Sequence, residues 1–237
     1  FQTVMKRGSA PFVIGTIGVG LGILGFALGD ATVQDHRYIH MTIGITWMSV
    51  NLFLGLILYP VANQLDEEIR GMLYAHLAPK LTVFLPTLLI VAIGSGLPLA
   101  IQMNQFPNPE PWLAIAALVI VIGVSLAFGW QLNAWRDTRW QGIIGLGSVG
   151  SIAWVAMTYS QLHGLSGAML LTLLIGSLAI INGMGLILAG NIRICSMLTS
   201  RDPDYGAIAT IGQRNVYLAR IQVFLLVLIV DSVVRGI

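Results

Sequence analysis

Long apolar stretches dominate this sequence, and seven of them are close to or above the length that crosses a bilayer. A spanning helix needs about 20 mostly apolar residues, because the hydrocarbon core of a bilayer is about 30 Å thick. The stretches cover residues 11–29, 38–60, 80–103, 112–132, 142–160, 164–190 and 216–234. We therefore predict an all-α integral membrane protein in which residues 1–237 form a single transmembrane domain of seven helices.

The composition agrees with this prediction and excludes several other classes. Only 9% of the residues are charged, whereas an ordinary soluble domain has about 25%. A net charge of +2 gives no basic surface for nucleic acid, so we expect membrane lipid, and no nucleic acid, as a partner. Cys195 is the only cysteine, which excludes an intrachain disulfide. The sequence has no nucleotide-binding loop and no zinc-protease motif, which argues against an ATP-driven pump or a hydrolase.

Lysine and arginine are distributed unevenly between the two ends of the predicted helices. One end carries Lys6, Arg7, Arg70, Lys80, Arg136, Arg139, Arg193, Arg201, Arg214 and Arg220, and the other carries Arg37 and Arg235. Short loops rich in lysine and arginine stay on the cytoplasmic side of a membrane. We predict that the N-terminus is cytoplasmic, that the C-terminus is outside, and that the protein lies in the cytoplasmic membrane of a prokaryotic cell.

The sequence also contains a weak internal repeat. The pattern His40-x-x-x-Gly44 opens the second predicted span, as His163-x-x-x-Gly167 opens the sixth, and the spans before them are both rich in glycine. This predicts two three-helix units in the same orientation, which would place a shared site at their interface. The predicted units are 11–103 and 142–236, separated by a linking helix at 112–132.

His40 and His163 are the leading candidates for a cofactor site, since both are predicted at the outer ends of their helices. Neutral imidazole is a common ligand for haem iron and copper. Two histidines on facing helices of a bundle can hold a metal or a haem between them. The alternative is that each histidine simply lies at the headgroup level, where amphipathic rings are stable.

Three neighbours of His40 extend this candidate site. His36 lies one helical turn before His40 and would share its face if the helix begins early, although we expect His36 to lie in a solvated loop. Met41 offers a thioether, which suits Cu(I). Arg37 could neutralise a haem propionate on the same side. The candidate copper ligands are therefore His36, His40, Met41 and His163.

Polar residues inside the spans are expected to have structural roles. Asn51 and Asn182 should bond to neighbouring helices, because an amide in hydrocarbon normally finds a partner. Arg214 and Arg220 should extend to the cytoplasmic headgroups.

The stretch from Ile39 to Pro60, followed by the stretch from Met72 to Thr87, resembles the copper-resistance D domain and the related HemJ-type protoporphyrinogen oxidases. In these families a helix that opens with histidine and carries a tryptophan precedes a helix entered through proline. The resemblance implies that His40 ligates haem b, or that the protein handles copper. Leu165 stands where the oxidases have a lysine, so the resemblance implies haem or metal binding rather than protoporphyrinogen oxidation.

These observations favour a haem b-binding membrane protein for electron transfer, a subunit of a larger redox complex rather than a stand-alone enzyme. His40 and His163 are its predicted ligands. Two alternatives stay open: a copper-transporting permease, and a structural subunit of a membrane complex that binds no cofactor.

Overall fold

The computed structural model describes residues 2–236, with side chains through residue 234, and every regular element in this range is helical. The helices are α1 (Gln2–Arg7), α2 (Ala10–Leu28), α3 (Val33–Asn63), α4 (Glu67–Gln102), α5 (Pro109–Leu132), α6 (Thr138–Gln161), α7 (Gly167–Met197) and α8 (Tyr205–Gly236). The seven helices α2 to α8 are long and apolar enough to cross a membrane. The prediction of an all-α integral membrane protein with seven spans is therefore confirmed.

Several helices extend well beyond the apolar stretches that predicted them. Helix α4 begins at Glu67 rather than near residue 80, and it continues through Pro79, Pro86 and Pro98. Helix α3 begins at Val33 because Thr32 and Asp35 form a capping box at its N-terminus. Apolar length marks only the part of a helix that crosses hydrocarbon, so it underestimates helices that continue into the headgroup layer.

Two of the spanning helices contain π-helical segments. These are Phe53–Leu58 in α3 and Ile181–Leu188 in α7. Both segments include the sequence Gly-Leu-Ile-Leu, which begins at Gly55 in α3 and at Gly185 in α7. A π-helical segment inserts an extra residue into the α-helical register, and such segments are frequent at functional sites.

The main hydrophobic core lies among α3, α4, α7 and α8. Helix α8 packs against α3, α4 and α7, while α2 packs on the other side of α4. Helix α5 packs against α7, and α6 packs mainly against α5. Four helices thus form a central bundle, and α2, α5 and α6 surround it.

The two ends of this bundle differ in charge. We call the end that holds the α3–α4, α5–α6 and α7–α8 connections the basic end, because the sequence places most lysines and arginines there. The opposite end holds the α2–α3, α4–α5 and α6–α7 connections, and His40 and His163 lie toward it.

Candidate functional site

His40 lies on α3 at the opposite end, where its half-buried ring contacts α4. Its Nδ1 is 3.0 Å from the carbonyl oxygen of Ala92. A carbonyl oxygen can only accept, so Nδ1 carries the proton of this hydrogen bond. In the neutral ring Nε2 then has a free lone pair, which is the state of a histidine that binds iron or another metal.

Gly96 makes room for this ring one turn further along α4. A Cβ at position 96 would lie 2.6 Å from Nδ1 of His40 and 3.2 Å from its Nε2. Only glycine therefore allows the ring to lie on the backbone of α4 while Nδ1 bonds to Ala92. This cradle and the free lone pair of Nε2 fit a histidine that would hold haem iron.

His36 was predicted to lie in a solvated loop. It lies instead on α3 and is almost fully buried, with 1% of its surface exposed. The prediction was wrong because the capping box at Thr32 starts the helix earlier than the apolar stretch indicates. Its Nδ1 is buried without a hydrogen-bond partner. A buried ring nitrogen of this kind is costly unless it meets water or a ligand.

The other neighbours of His40 lie closer to the surface. Arg37 is exposed, and its Nη2 lies 3.6 Å from the sulfur of Met103 at the end of α4. Met41 is 62% exposed, although it adjoins His40 in the sequence. Met103 is not among the predicted ligands, because only tertiary packing brings the end of α4 to the start of α3.

His163 does not open the sixth span. It lies in the exposed connection between α6 and α7, because Ser166 caps α7 and the helix begins at Gly167. Its Nδ1 is 2.6 Å from the carbonyl oxygen of Gln161, and its own carbonyl oxygen accepts a 2.9 Å hydrogen bond from Trp112 of α5. The two predicted ligands are thus held by different elements, His40 by α4 and His163 by the α6–α7 connection and α5.

In the described part of the chain, no three or more His, Cys, Asp or Glu side chains are grouped so that they could hold a metal ion. This arrangement differs from a closed structural metal site, which has four ligands. Haem iron needs only one or two protein ligands. A histidine with a free Nε2 is therefore the donor to consider at the opposite end.

A second polar feature occupies the centre of the bundle. Two cavities of about 20 Å³ each meet at Asn51 and Asn191. Asn215 donates a 2.9 Å hydrogen bond to Asn191, and Asn182 donates a 2.8 Å bond to Gln222. The side-chain amide nitrogens of Asn191 and Gln222 have no hydrogen-bond partner among the described residues. Each cavity is large enough for about one water molecule, which such groups would bind.

Comparison of the chain with protein-family models, with curated proteins and with solved structures gives no match. The fold defines the class of the protein as a helical integral membrane protein with seven candidate spans. Any finer assignment depends on the residues of the site.

Proposed function

We propose that the protein binds haem b through His40 and transfers electrons as a subunit of a larger membrane redox complex. The observation that supports this most is the hydrogen bond from Nδ1 of His40 to Ala92, which leaves Nε2 free. Histidines that bind a metal usually donate their other ring N–H to a carbonyl or carboxylate, which fixes the tautomer and the ring orientation. Gly96 lets the ring lie against the backbone of α4, which also fixes the orientation of the ring.

Haem b supplies one-electron transfer when it is bound, and the protein supplies its ligands and electrostatics. His40 would be the first residue to hold the group. His163 is the candidate for the second, since its Nδ1 also lies against a backbone carbonyl oxygen. The exposed guanidinium of Arg37, one turn before His40, would pair with a propionate.

Absorption spectra of the purified full-length protein test this proposal, in the oxidised and the dithionite-reduced states. We expect a Soret band and an α band that His40→Ala abolishes. His76→Ala is the matched control, because His76 lies at the basic end and bonds to Met72 of its own helix. A change from low-spin to high-spin haem in His163→Ala would support His163 as the second ligand. A wild-type protein without haem, or bands that survive His40→Ala, would contradict the proposal.

A copper-transporting permease is the second candidate, and it is supported by the buried, unpartnered Nδ1 of His36. His36 and His40 are one turn apart on α3. Met41 adjoins His40 in the sequence and Met103 contacts Arg37 in the structure, so their thioethers offer soft ligands nearby. Copper bound in the absence of haem, and lost in His36→Ala, would favour this candidate. A protein that binds neither haem nor copper would favour the structural subunit.

A role as a subunit requires surface that other chains can cover. On α2, a Cβ at Gly15, Gly18, Gly22 or Gly25 would meet no atom within 4 Å. These glycines recur at helical spacing, so they share one face. Small residues in such a row let another membrane helix approach closely, which agrees with the proposed partners.

The proposal includes the orientation, with the basic end in the cytoplasm. Single cysteines in a Cys195→Ser background test it, because the exposed Gln64 lies in the α3–α4 connection and the exposed Asp30 in the α2–α3 connection. We expect a membrane-impermeant maleimide to label Asp30→Cys in intact cells and Gln64→Cys only after permeabilisation. The reverse pattern would invert the orientation.

We also propose that the two π-helical segments mark the two parallel units. The shared sequence Gly-Leu-Ile-Leu supports this, as does the packing of each of these helices on the helix that follows it, α3 on α4 and α7 on α8. If Gly55 and Gly185 are equivalent positions of the two units, then the position equivalent to His40 is Leu170 and not His163. His163 would therefore act as a ligand from the α6–α7 connection, and not as the repeat equivalent of His40.

A further inference from the structure

A cleft of about 370 Å³ opens at the basic end between α3, α4 and α8. The residues with polar groups that line it are Tyr59, Arg70, Thr210, Gln213, Arg214 and Tyr217. No Asp or Glu belongs to the lining of this cleft. Glu67, a carboxylate at the same end, lies against Gly206 instead. The cleft thus presents two guanidinium groups to its contents and no negative charge.

Helix α5 holds Arg214 in place, and no carboxylate of the cleft lining neutralises either arginine. Arg214 donates through Nη2 to Gln131 of α5, and its guanidinium lies 5.6 Å from the ring centroid of Trp130. The Nε atoms of both Arg70 and Arg214 are buried and have no hydrogen-bond partner among the residues that the structure describes. An arginine Nε–H is a donor that cannot lose its proton, so it needs an acceptor. No carboxylate lines the cleft, so an anionic ligand there would meet two arginines whose charge the cleft walls do not compensate.

Several side chains that line the cleft are positioned by contacts with their neighbours. Gln213 accepts a 2.6 Å hydrogen bond from the Tyr74 hydroxyl and donates a 2.6 Å bond to Asn63, which fixes its amide. The ring of Tyr59 lies between the guanidinium of Arg220, 4.0 Å from its centroid, and the ring of Tyr217, 6.0 Å away.

A preformed cleft loses little conformational entropy when it binds a ligand. Its volume is within the range of small-molecule sites, about 300–1,000 Å³. The shape therefore exists before the ligand arrives.

We propose that this cleft binds a phosphate group, either in the headgroup of an anionic phospholipid or in a soluble phosphate. Arginine presents a planar fork of N–H donors that matches phosphate oxygens, and charge-assisted bonds of this type are the stronger ones. Basic pockets between membrane helices on the cytoplasmic side commonly bind lipid headgroups. The cleft is at the end that the distribution of charge predicts to be cytoplasmic.

Binding measurements on the full-length protein test this proposal. The protein is reconstituted into phosphatidylcholine nanodiscs, and bound phosphatidylglycerol is quantified by native mass spectrometry as its fraction is raised. A parallel titration with inorganic phosphate in detergent follows the thermal midpoint. The variants are Arg70→Gln and Arg70→Lys, with Arg201→Gln as the matched control, because Arg201 is an exposed arginine of the same end outside the cleft.

We expect Arg70→Gln to weaken binding by about tenfold, the loss of one charge-assisted hydrogen bond. Arg70→Lys keeps the charge but loses the fork, so its binding should lie between those of the wild type and Arg70→Gln, and Arg201→Gln should leave binding unchanged. If Arg70→Gln weakens the binding of phosphatidylglycerol alone, the ligand is a lipid headgroup. If it weakens the binding of inorganic phosphate alone, the ligand is a soluble anion.

The proposal is overturned if Arg70→Gln binds both probes as the wild type does, or if Arg201→Gln weakens binding equally. It is also overturned if neither probe binds the wild-type protein. Size-exclusion profiles and circular dichroism of each variant show that it has folded. Arg70→Lys guards against a general loss of structure, since it keeps the charge at the same position.

Discussion

The Nε of Arg220 on α8 donates a 2.6 Å hydrogen bond to the carbonyl oxygen of Gly55, inside the π-helical segment of α3. A Cβ at position 55 would lie 2.8 Å from the backbone nitrogen of Arg220 and 3.1 Å from its Cα. The two helices can approach this closely only because Gly55 has no side chain. The same contact gives a partner to a cationic side chain that lies within a spanning helix.

Replacing Gly55 by alanine should therefore separate α3 from α8 and weaken the hydrogen bond of Arg220. The added methyl meets backbone atoms, which cannot move aside as a flexible side chain would. We expect a loss of about 1–3 kcal/mol in the free energy of unfolding, the usual cost of overpacking. Denaturant titration of the detergent-solubilised protein, followed by tryptophan fluorescence, measures this loss.

Gly44→Ala is the control for this substitution. Gly44 lies on the same helix, but a Cβ there would meet no atom within 4 Å. Its effect should stay within about 0.5 kcal/mol, or be stabilising, because alanine favours a helix over glycine. Equal effects of the two substitutions would show that helix propensity, and not the contact with Arg220, decides the stability.

Arg220 also shows why the sequence predicts the spans better than the contacts between them. Apolar length is a local property, and it predicts the seven candidate spans of the described residues correctly. Arg220 was expected to extend to the headgroups, but the π-helical segment exposes a carbonyl oxygen that it reaches instead. No pattern in a single sequence states which helices are neighbours, so such a bond is not predictable from it.

The two intramembrane asparagines differ in whether their predicted interhelical bond is present. Asn182 bonds across helices to Leu218 and Gln222, so its prediction is confirmed. Asn51 instead donates to the carbonyl oxygen of Trp47 in its own helix. A buried amide must find a partner, but whether that partner is local depends on packing.

The proposed ligand His40 should be sensitive to the residue beneath its ring. In Gly96→Ala the new methyl overlaps the ring of His40, which must rotate and lose its bond to Ala92. Loss of the outer partner of a ligating histidine typically reduces metal affinity by about 10–100-fold. We expect the haem content after haem reconstitution to fall accordingly, measured from the Soret absorbance per protein.

Gly94→Ala provides the comparison on the same helix. There the added Cβ would meet the side-chain end of Leu24, which can rotate away. The haem content of Gly94→Ala should therefore remain near that of the wild type. If both variants lose haem to the same extent, the fit of α4 as a whole matters and the cradle under His40 does not.

The amide pair in the centre of the bundle should contribute a measurable coupling energy. Asn215 donates to Asn191 and also to the carbonyl oxygen of Ile187. In a double-mutant cycle of Asn191→Ala and Asn215→Ala we expect a coupling of about 1 kcal/mol, since interhelical hydrogen bonds in membranes average about 0.6 kcal/mol and reach about 1.7 kcal/mol. A cycle that pairs Asn191→Ala with Gln102→Ala, at an exposed position, should give no coupling. Coupling in both cycles would mean that the substitutions act through a global change in the protein.

The single cysteine reports on the packing of the short first helix against the bundle. Cys195 on α7 is buried at 7% exposure with Val4 of α1 and Val13 of α2, and its sulfur is 3.8 Å from the Thr82 hydroxyl. Buried thiols surrounded by apolar groups react slowly. We expect N-ethylmaleimide to modify Cys195 at least about tenfold more slowly in the folded protein than in denaturant, since the reaction must wait for local opening.

Val4→Ser should accelerate this reaction, because it weakens the cover over the thiol without changing the spans. Mass spectrometry at successive times gives the rate, and Asp30→Cys in a Cys195→Ser background gives the rate of an exposed thiol at the opposite end. Rapid modification of Cys195 in the folded wild-type protein would mean that α1 does not cover it in solution. An unchanged slow rate in Val4→Ser would assign the protection to α2, α4 and α7.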